Sequence, residues 1–295
     1  MPTMNHGFVA GSIAALVTPF TSGGLPDDSA WRALVRWQAD RGSDGIVVAG
    51  TTGESATLSQ DERDALLGAA LEAADGRLRI IAGTGAASTE VAVTQSRRAA
   101  AVGAEAVLVV TPYYNRPPQR GLALHYRRVA DESPVPVVLY NVPSRTAVDL
   151  EPDTVLALAE HDNIVAIKEA VPEMERVRAY AGIGLTVLSG DDSSAFEAMR
   201  NGAAGVVSVA ANVVPGAMAR LCRAARGADE SDGAGLNAEL EPLYRFLAVE
   251  PNPIPVKWLL SSAGRIGSDL RLPLVPLDTR HHAQGRRLAG SMLEP

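Results

Sequence analysis

Lys168 is the residue whose setting first suggests chemistry. It ends the uninterrupted apolar run Ile164-Val165-Ala166-Ile167, which reads as a strand buried on both faces. A charged ammonium there is costly unless it is paired or used. Desolvation favours the neutral amine, a nucleophile that adds to ketones. Two plainer readings stand beside this one: an ion pair with adjacent Glu169, and a side chain that snorkels to the water at the strand's end. Tyr140 ends the preceding apolar run. Its phenol can pass protons to and from a carbinolamine or enamine; a core aromatic with a satisfied hydroxyl is the alternative. The Thr51-Thr52 pair offers two hydroxyls and successive backbone N–H groups, a set that suits a carboxylate, although a simple turn explains it better on its own. Arg145 can hold a carboxylate through two parallel hydrogen bonds, or simply face solvent.

Other chemistries lack their signatures. The five histidines, His6, His125, His161, His281 and His282, have no ligand spacing beyond an adjacent pair. Asp191-Asp192 fits a helix N-terminal cap before residues 193–201 better than a Mg²⁺ site. No metal site is expected. There is no G-x-S-x-G nucleophile elbow. No G-x-G-x-x-G follows the first strand, and no G-x-x-x-x-G-K-[ST] occurs.

The elements that must position these residues are legible as a repeating pattern. Eight short Val- and Ile-rich runs lie at 12–17, 45–48, 79–82, 106–110, 137–140, 164–168, 186–189 and 205–208. They show no polar alternation, as expected of parallel strands covered on both faces. Helical patterns separate them. In 28–41, Trp31, Leu34 and Val35 make one apolar stripe, with Trp37 at its edge. Ser59 with Glu62 reads as a capping box before Ala65, Leu66 and Ala69. Gly103 and Gly202 follow helical segments at cap positions, and Pro152 suits a first helical turn.

Eight strands alternating with helices imply a closed (β/α)8 TIM barrel rather than an open doubly wound sheet. Beyond Pro215 only helical patterns follow, at 215–226, 237–247 and around 254–261. We therefore expect a catalytic barrel over 1–225 and a C-terminal helical extension over 226–295, with 227–235 as a short polar stretch. In such a barrel chemistry sits after the C-terminal strand ends. The unusual residues fall there in six loops: 50–54, 83–85, 111–115, 140–145, 168–169 and 190–192.

Bulk properties narrow the function classes. With 46% apolar and 21% charged residues in 295, a large core is available. A net charge of -7 argues against a nucleic-acid or anionic-membrane role. Cys222 alone cannot build a disulfide framework and fits a reducing compartment. No apolar run reaches the ~20 residues needed to span a bilayer, and residues 1–10 carry no basic region before their apolar residues. The expectation is a soluble cytoplasmic protein.

Six segments in order then carry a resemblance. They are Gly50-Thr51-Thr52-Gly53-Glu54-Ser55, Pro112-Tyr113-Tyr114-Asn115-Arg116-Pro117, Tyr140-Asn141-Val142-Pro143-Ser144-Arg145-Thr146, Ile167-Lys168-Glu169-Ala170, Ser189-Gly190-Asp191-Asp192 and Glu250-Pro251-Asn252-Pro253-Ile254-Pro255-Val256-Lys257-Trp258. From about residue 8 to its end the chain resembles the dihydrodipicolinate synthase / N-acetylneuraminate lyase family, on its dihydrodipicolinate synthase side. The resemblance implies that Lys168 forms an imine with pyruvate. It implies a proton relay of Tyr140, Thr52 and Tyr114, with Tyr114 reaching in from a neighbouring subunit. Thr51 and Thr52 would hold the pyruvate carboxylate, and Arg145 the carboxylate of aspartate semialdehyde. Gly190 and Val207 would line the pocket through their backbones. The same resemblance implies a homotetramer built as a pair of dimers, no metal or organic cofactor, and a product entering the diaminopimelate and lysine pathway.

One departure from the family pattern stands out. Some members bind lysine at the dimer interface as a feedback inhibitor, through histidines and an asparagine. The matching positions here are Gln60, Arg63 and Ala87, whereas Ser55, Ala56, Tyr113 and Glu90 are retained. Weak or absent lysine inhibition is expected. Three rival functions remain: a sister lyase acting on N-acetylneuraminate or a keto-deoxy sugar acid, a non-catalytic keto-acid-binding paralogue, and a phosphate-binding barrel. The sisters do not typically carry an arginine such as Arg145; the paralogue would not need the full relay; strands seven and eight lack a Gly-rich phosphate turn.

Overall fold

The apolar runs do what double-sided burial requires of them: they pair with one another and with nothing else. In the computed structural model, which describes residues 9–227 and 232–292, they form β1 (Gly11–Ala15), β2 (Gly45–Val48), β3 (Arg79–Gly83), β4 (Ala106–Val110), β5 (Val137–Asn141), β6 (Ile164–Glu169), β7 (Thr186–Ser189) and β8 (Gly205–Ser208). Each strand pairs in parallel with the next, and β8 pairs with β1 to close the barrel. Closure removes both sheet edges. The residues before Val9, with His6 and most of the N-terminal reading, lie outside the described residues, as do 228–231 of the polar stretch.

Helices return the chain between strands. They are α1 (Asp28–Asp40), α2 (Gln60–Ala74), α3 (Thr89–Val102), α4 (Gln119–Glu132), the single turn α5 (Pro143–Thr146), α6 (Pro152–Leu158), α7 (Met174–Gly182), α8 (Asp192–Arg200) and α9 (Pro215–Ala225). The stripe of α1 is buried as its spacing predicts. The capping box at Ser59 and Glu62 forms in both directions. Gly103 caps α3 at φ +121, and Asp191 caps α8 by accepting from the Ser194 amide. After α9 come α10 (Gly233–Leu247), α11 (Ile254–Ser262) and α12 (His282–Met292).

The differences from the sequence reading have local causes. β1 is shorter than 12–17 because its ladder ends with the Leu16 amide on the Val47 carbonyl. α10 begins four residues before 237: Asp232 accepts from the Gly235 amide and so starts the helix in a glycine-containing stretch that reads as loop. α12 carries too few large apolar residues for its period to stand out; only Gly285 and Leu288 are buried.

Two apolar layers result. Ile13, Val47, Ile81, Leu108, Val138, Tyr140, Ala166, Leu188 and Val207 fill the barrel interior. Their strand neighbours, such as Val48, Val107, Leu139, Ile167 and Val187, pack outward against the helices. Strand alternation therefore sends Tyr140 and Lys168 inward and Asn141 and Glu169 outward. A bulge refines this. Val137 pairs with Ile164 but Val138 pairs with Ala166, so β6 carries one extra residue, Val165. The shift brings Lys168, not Ile167, opposite Tyr140.

The β8–β1 seam depends on a missing side chain. A Cβ on Gly205 would lie 2.1 Å from the Gly11 carbonyl oxygen and 2.4 Å from its nitrogen. Gly205→Ala is expected to destabilise the fold by about 1–3 kcal/mol, the usual cost of overpacking, read as a lower urea midpoint. An unchanged midpoint would contradict this account of the seam.

Candidate active site

A cavity of about 230 Å³ opens at the C-terminal ends of the strands. Lys168 reaches it from the end of β6 and is only 6% exposed. Its Nζ lies 4.2 Å from the centroid of the Tyr140 ring. Lys168 makes no ion pair among the described residues. The pairing with Glu169 left open by the sequence fails for a geometric reason: alternation puts the two side chains on opposite faces of β6. The snorkelling reading fails as well, since the side chain is buried.

Glu169 instead belongs to a cluster on the outer side of the strand ends. Its carboxylate accepts from the Val171 amide at 2.9 Å and from Asn141 Nδ2 at 3.0 and 3.2 Å. The same Asn141 amide group donates to Asp149 at 2.8 Å, and Asn141 Oδ1 accepts from the Leu150 amide. Arg176 clamps Asp149 through two bonds of 2.7 and 3.0 Å and stands 3.8 Å from Glu169. Burial pushes the Glu169 carboxyl up to about 7 against the opposing pull of these donors. The cluster ties β5, the segment carrying Arg145, β6 and α7 into one unit just behind the inward-facing pair.

The Thr51-Thr52 turn follows β2. Its geometry is tight: the Gly53 and Ser55 amides both donate to the Gly50 carbonyl, and Glu54 adopts a left-handed φ of +56. Thr52 is buried, and its Oγ1 accepts a hydrogen bond of 2.9 Å from Asn252 Nδ2. Glu54 turns away from the cavity into a fully buried ion pair with Lys257 at 2.7 Å. Lys257 also donates to the Thr18 carbonyl at 2.9 Å, and the Arg271 amide donates to Glu54 at 3.0 Å.

Arg145 sits exposed on the cavity rim in α5, whose first residue, Pro143, presets the turn. Gly190 lines the opposite wall; a Cβ there would lie 2.8 Å from the Ala170 Cβ. Val207, buried in β8, also lines the cavity. The structure thus gathers Lys168, Tyr140, Thr51, Thr52, Arg145, Gly190 and Val207 around one cavity.

Tyr114 is the exception. It does not line this cavity, is 93% exposed, and holds a left-handed φ of +73. A bulky residue rarely accepts that conformation, and here it carries the ring away from the chain's own barrel. Asn252 is the converse case: it lines the cavity without having been assigned a role. The signal was its place in the Glu250–Trp258 motif, which carries no recognisable catalytic residue type. Among the described residues no group of His, Cys, Asp and Glu could hold a metal ion.

Comparison with known proteins agrees with this geometry. Residues 8–290 match the sequence profile of the Dihydrodipicolinate synthetase family. The 4-hydroxy-tetrahydrodipicolinate synthase of Stenotrophomonas maltophilia (strain K279a) is 50% identical over 287 residues, covering 96% of each chain. That of Xanthomonas axonopodis pv. citri (strain 306) is 51% identical over 288 residues, covering 97% of this chain and 95% of its own. The solved dihydrodipicolinate synthase of Acinetobacter baumannii, complexed with pyruvate, superposes with a TM-score of 0.93 at 43% identity, covering 96% of this chain and 99% of that one. With its closed barrel, its buried lysine and a match over nearly its whole length, this chain belongs to the dihydrodipicolinate synthetase family.

Proposed function

We propose that the chain is a Schiff-base lyase that condenses pyruvate with L-aspartate 4-semialdehyde to give 4-hydroxy-tetrahydrodipicolinate. The observation that carries this reading is the Lys168 amine, held inside the barrel mouth against Tyr140, with Thr51, Thr52 and Arg145 on the same cavity. The Lys168 amine adds to the pyruvate carbonyl through its nitrogen lone pair, and loss of water leaves a protonated imine. That imine withdraws electrons, so the pyruvate methyl group gives up a proton and an enamine forms. The enamine carbon attacks the aldehyde of the second substrate, whose oxygen takes a proton. The amino group of that substrate then displaces Lys168 from the imine carbon, closing the ring and freeing the enzyme.

The residue roles are those the family resemblance implies, and the placement of the side chains around the cavity supports them. Tyr140 and Thr52 move protons at the adduct, and Thr51 and Thr52 bind the pyruvate carboxylate with hydroxyl and backbone donors. Gly190 and Val207 present backbone groups to the adduct. Arg145 on the rim meets the extra carboxylate of the semialdehyde with a planar guanidinium. Tyr114 completes the relay in a neighbouring subunit, a reading supported by its outward, strained conformation. The assembly is a tetramer of paired dimers. Residues 1–225 form the catalytic barrel and 226–295 the C-terminal helical region. The reaction belongs to diaminopimelate and lysine biosynthesis in the cytoplasm. No helix among the described residues is long and apolar enough to cross a membrane.

Borohydride reduction in the presence of pyruvate should leave a mass adduct on Lys168, and Lys168→Ala should fold yet lose both adduct and turnover. A wild-type protein without an adduct refutes the imine chemistry. Arg145→Ala should keep trapping while kcat/KM for aspartate semialdehyde falls roughly 10- to 100-fold, the worth of a charge-assisted bond. Unchanged kinetics there, or faster turnover of N-acetylneuraminate or keto-deoxygluconate, would favour a sister activity.

The positions matched to a lysine-inhibitor site are already engaged internally. The Arg63 guanidinium donates to the Ser55 and Gly83 carbonyls, and the Gln60 amide donates to Asp64 at 2.8 Å. A half-buried guanidinium is a poor neighbour for the ammonium groups of free lysine. Steady-state assays at saturating substrates should show little or no inhibition by L-lysine; micromolar inhibition would overturn this reading.

A further inference from the structure

The Glu250–Trp258 motif is unaccounted for by the roles above, yet two of its side chains reach the Thr51-Thr52 turn from the far end of the chain. Asn252 donates to Thr52 Oγ1, and Lys257 pairs with Glu54 two residues further on. Both contacts bridge about two hundred residues of sequence. Asn252 also borders the cavity itself, and its Oδ1 is buried without a hydrogen-bond partner.

A threonine hydroxyl has one hydrogen to give and lone pairs to receive with. When the Asn252 amide fills a lone pair, the Thr52 hydrogen must point elsewhere, and the open direction is the cavity that holds Tyr140 and Lys168. With the amide reversed, Asn252 Oδ1 would capture that hydrogen and remove Thr52 from any proton chain. A residue that can only accept at position 252 would do the same.

We propose that Asn252 is a positioning residue that aims the Thr52 hydroxyl into the active site, while the buried Glu54–Lys257 pair fixes the turn beneath it. This rests on the imine-forming reading of the site. Two features favour control over mere packing. The donor is single and directional, and the turn it addresses is held from behind by an ion pair that removal of either partner would leave as an uncompensated buried charge. The turn thus has little freedom to find another donor.

The test reads the methyl-proton step alone: exchange of pyruvate methyl hydrogens for deuterium in D2O, followed by NMR at saturating pyruvate without the second substrate. Borohydride trapping is measured in parallel. Asn252→Ala should trap pyruvate but slow exchange at least about tenfold, the scale of one lost hydrogen bond at a reacting group, with KM for pyruvate changed much less. Asn252→Asp nearly keeps the shape but, once ionised, only accepts. It should exchange no faster than Asn252→Ala at neutral pH and recover as the pH falls and its carboxyl becomes able to donate. A purely structural role predicts the reverse order, with the isosteric aspartate near wild type at neutral pH and no acid recovery; that result overturns the proposal. Should Asn252→Ala fail to fold, the aspartate profile decides alone. Wild-type protein that does not trap pyruvate would sink the imine reading instead, a distinct failure.

Discussion

A lysine side chain enclosed by a barrel of apolar strands is the constraint on which this molecule depends. Among the described residues its amine makes no ion pair, and it lies 4.2 Å from the centroid of the Tyr140 ring. Such a group is expensive to bury and is retained where its chemistry is used. The fold meets the constraint through geometry rather than charge. Parallel closure shields the strand ends, alternation aims the side chain inward, and one extra residue in β6 sets it opposite the tyrosine.

The same strand ends carry the opposite solution on their outer face. Asn141 and Glu169 follow Tyr140 and Lys168 by one residue, so each inward group has an outward neighbour locked in a hydrogen-bonded cluster. That cluster reaches Asp149 and Arg176 and so anchors both sides of the segment that carries Arg145. The buried carboxyl is not without cost. With Glu169 at about 7 against an ordinary 4.5, its ionisation opposes folding, so its share of stability is intact at low pH and declines as pH rises from the unfolded value through about 7. Rigid support for Tyr140 and Lys168 therefore comes with a titrating group just behind them.

What the sequence disclosed follows the same physics. Runs buried on both faces have no competing pattern, so all eight strands and the inward lysine were legible. Period-two alternation carried one residue past Lys168 also turns Glu169 outward, which adjacency in sequence alone does not disclose. The β6 bulge was not legible, since Val165 looks like any other strand residue and the shift exists only between strands. Nor was the start of α10, where one aspartate overrides two glycines. Tyr114 marks another limit. Its residue type and loop suggested chemistry, but only coordinates reveal that its ring lies off the chain's own cavity.

The hardest part to read was the tie between the two ends of the chain. α9 completes the circuit of helices around the barrel, and α10 to α12 follow it. The contacts between them run across that point in the chain. Glu54 follows a barrel strand and the cation it pairs with, Lys257, lies in α11; both side chains are fully enclosed. Separating the segments would leave a carboxylate in the barrel and an ammonium in the helices, each without its counter-charge, at a cost of about 3–5 kcal/mol for a broken buried pair. Arg271 adds a second tether from the C-terminal segment, to Glu62, Thr57 and Gly24. The Thr51-Thr52 turn is therefore a joint product of both regions, and the C-terminal segment borders the cavity through Asn252 rather than standing apart from it.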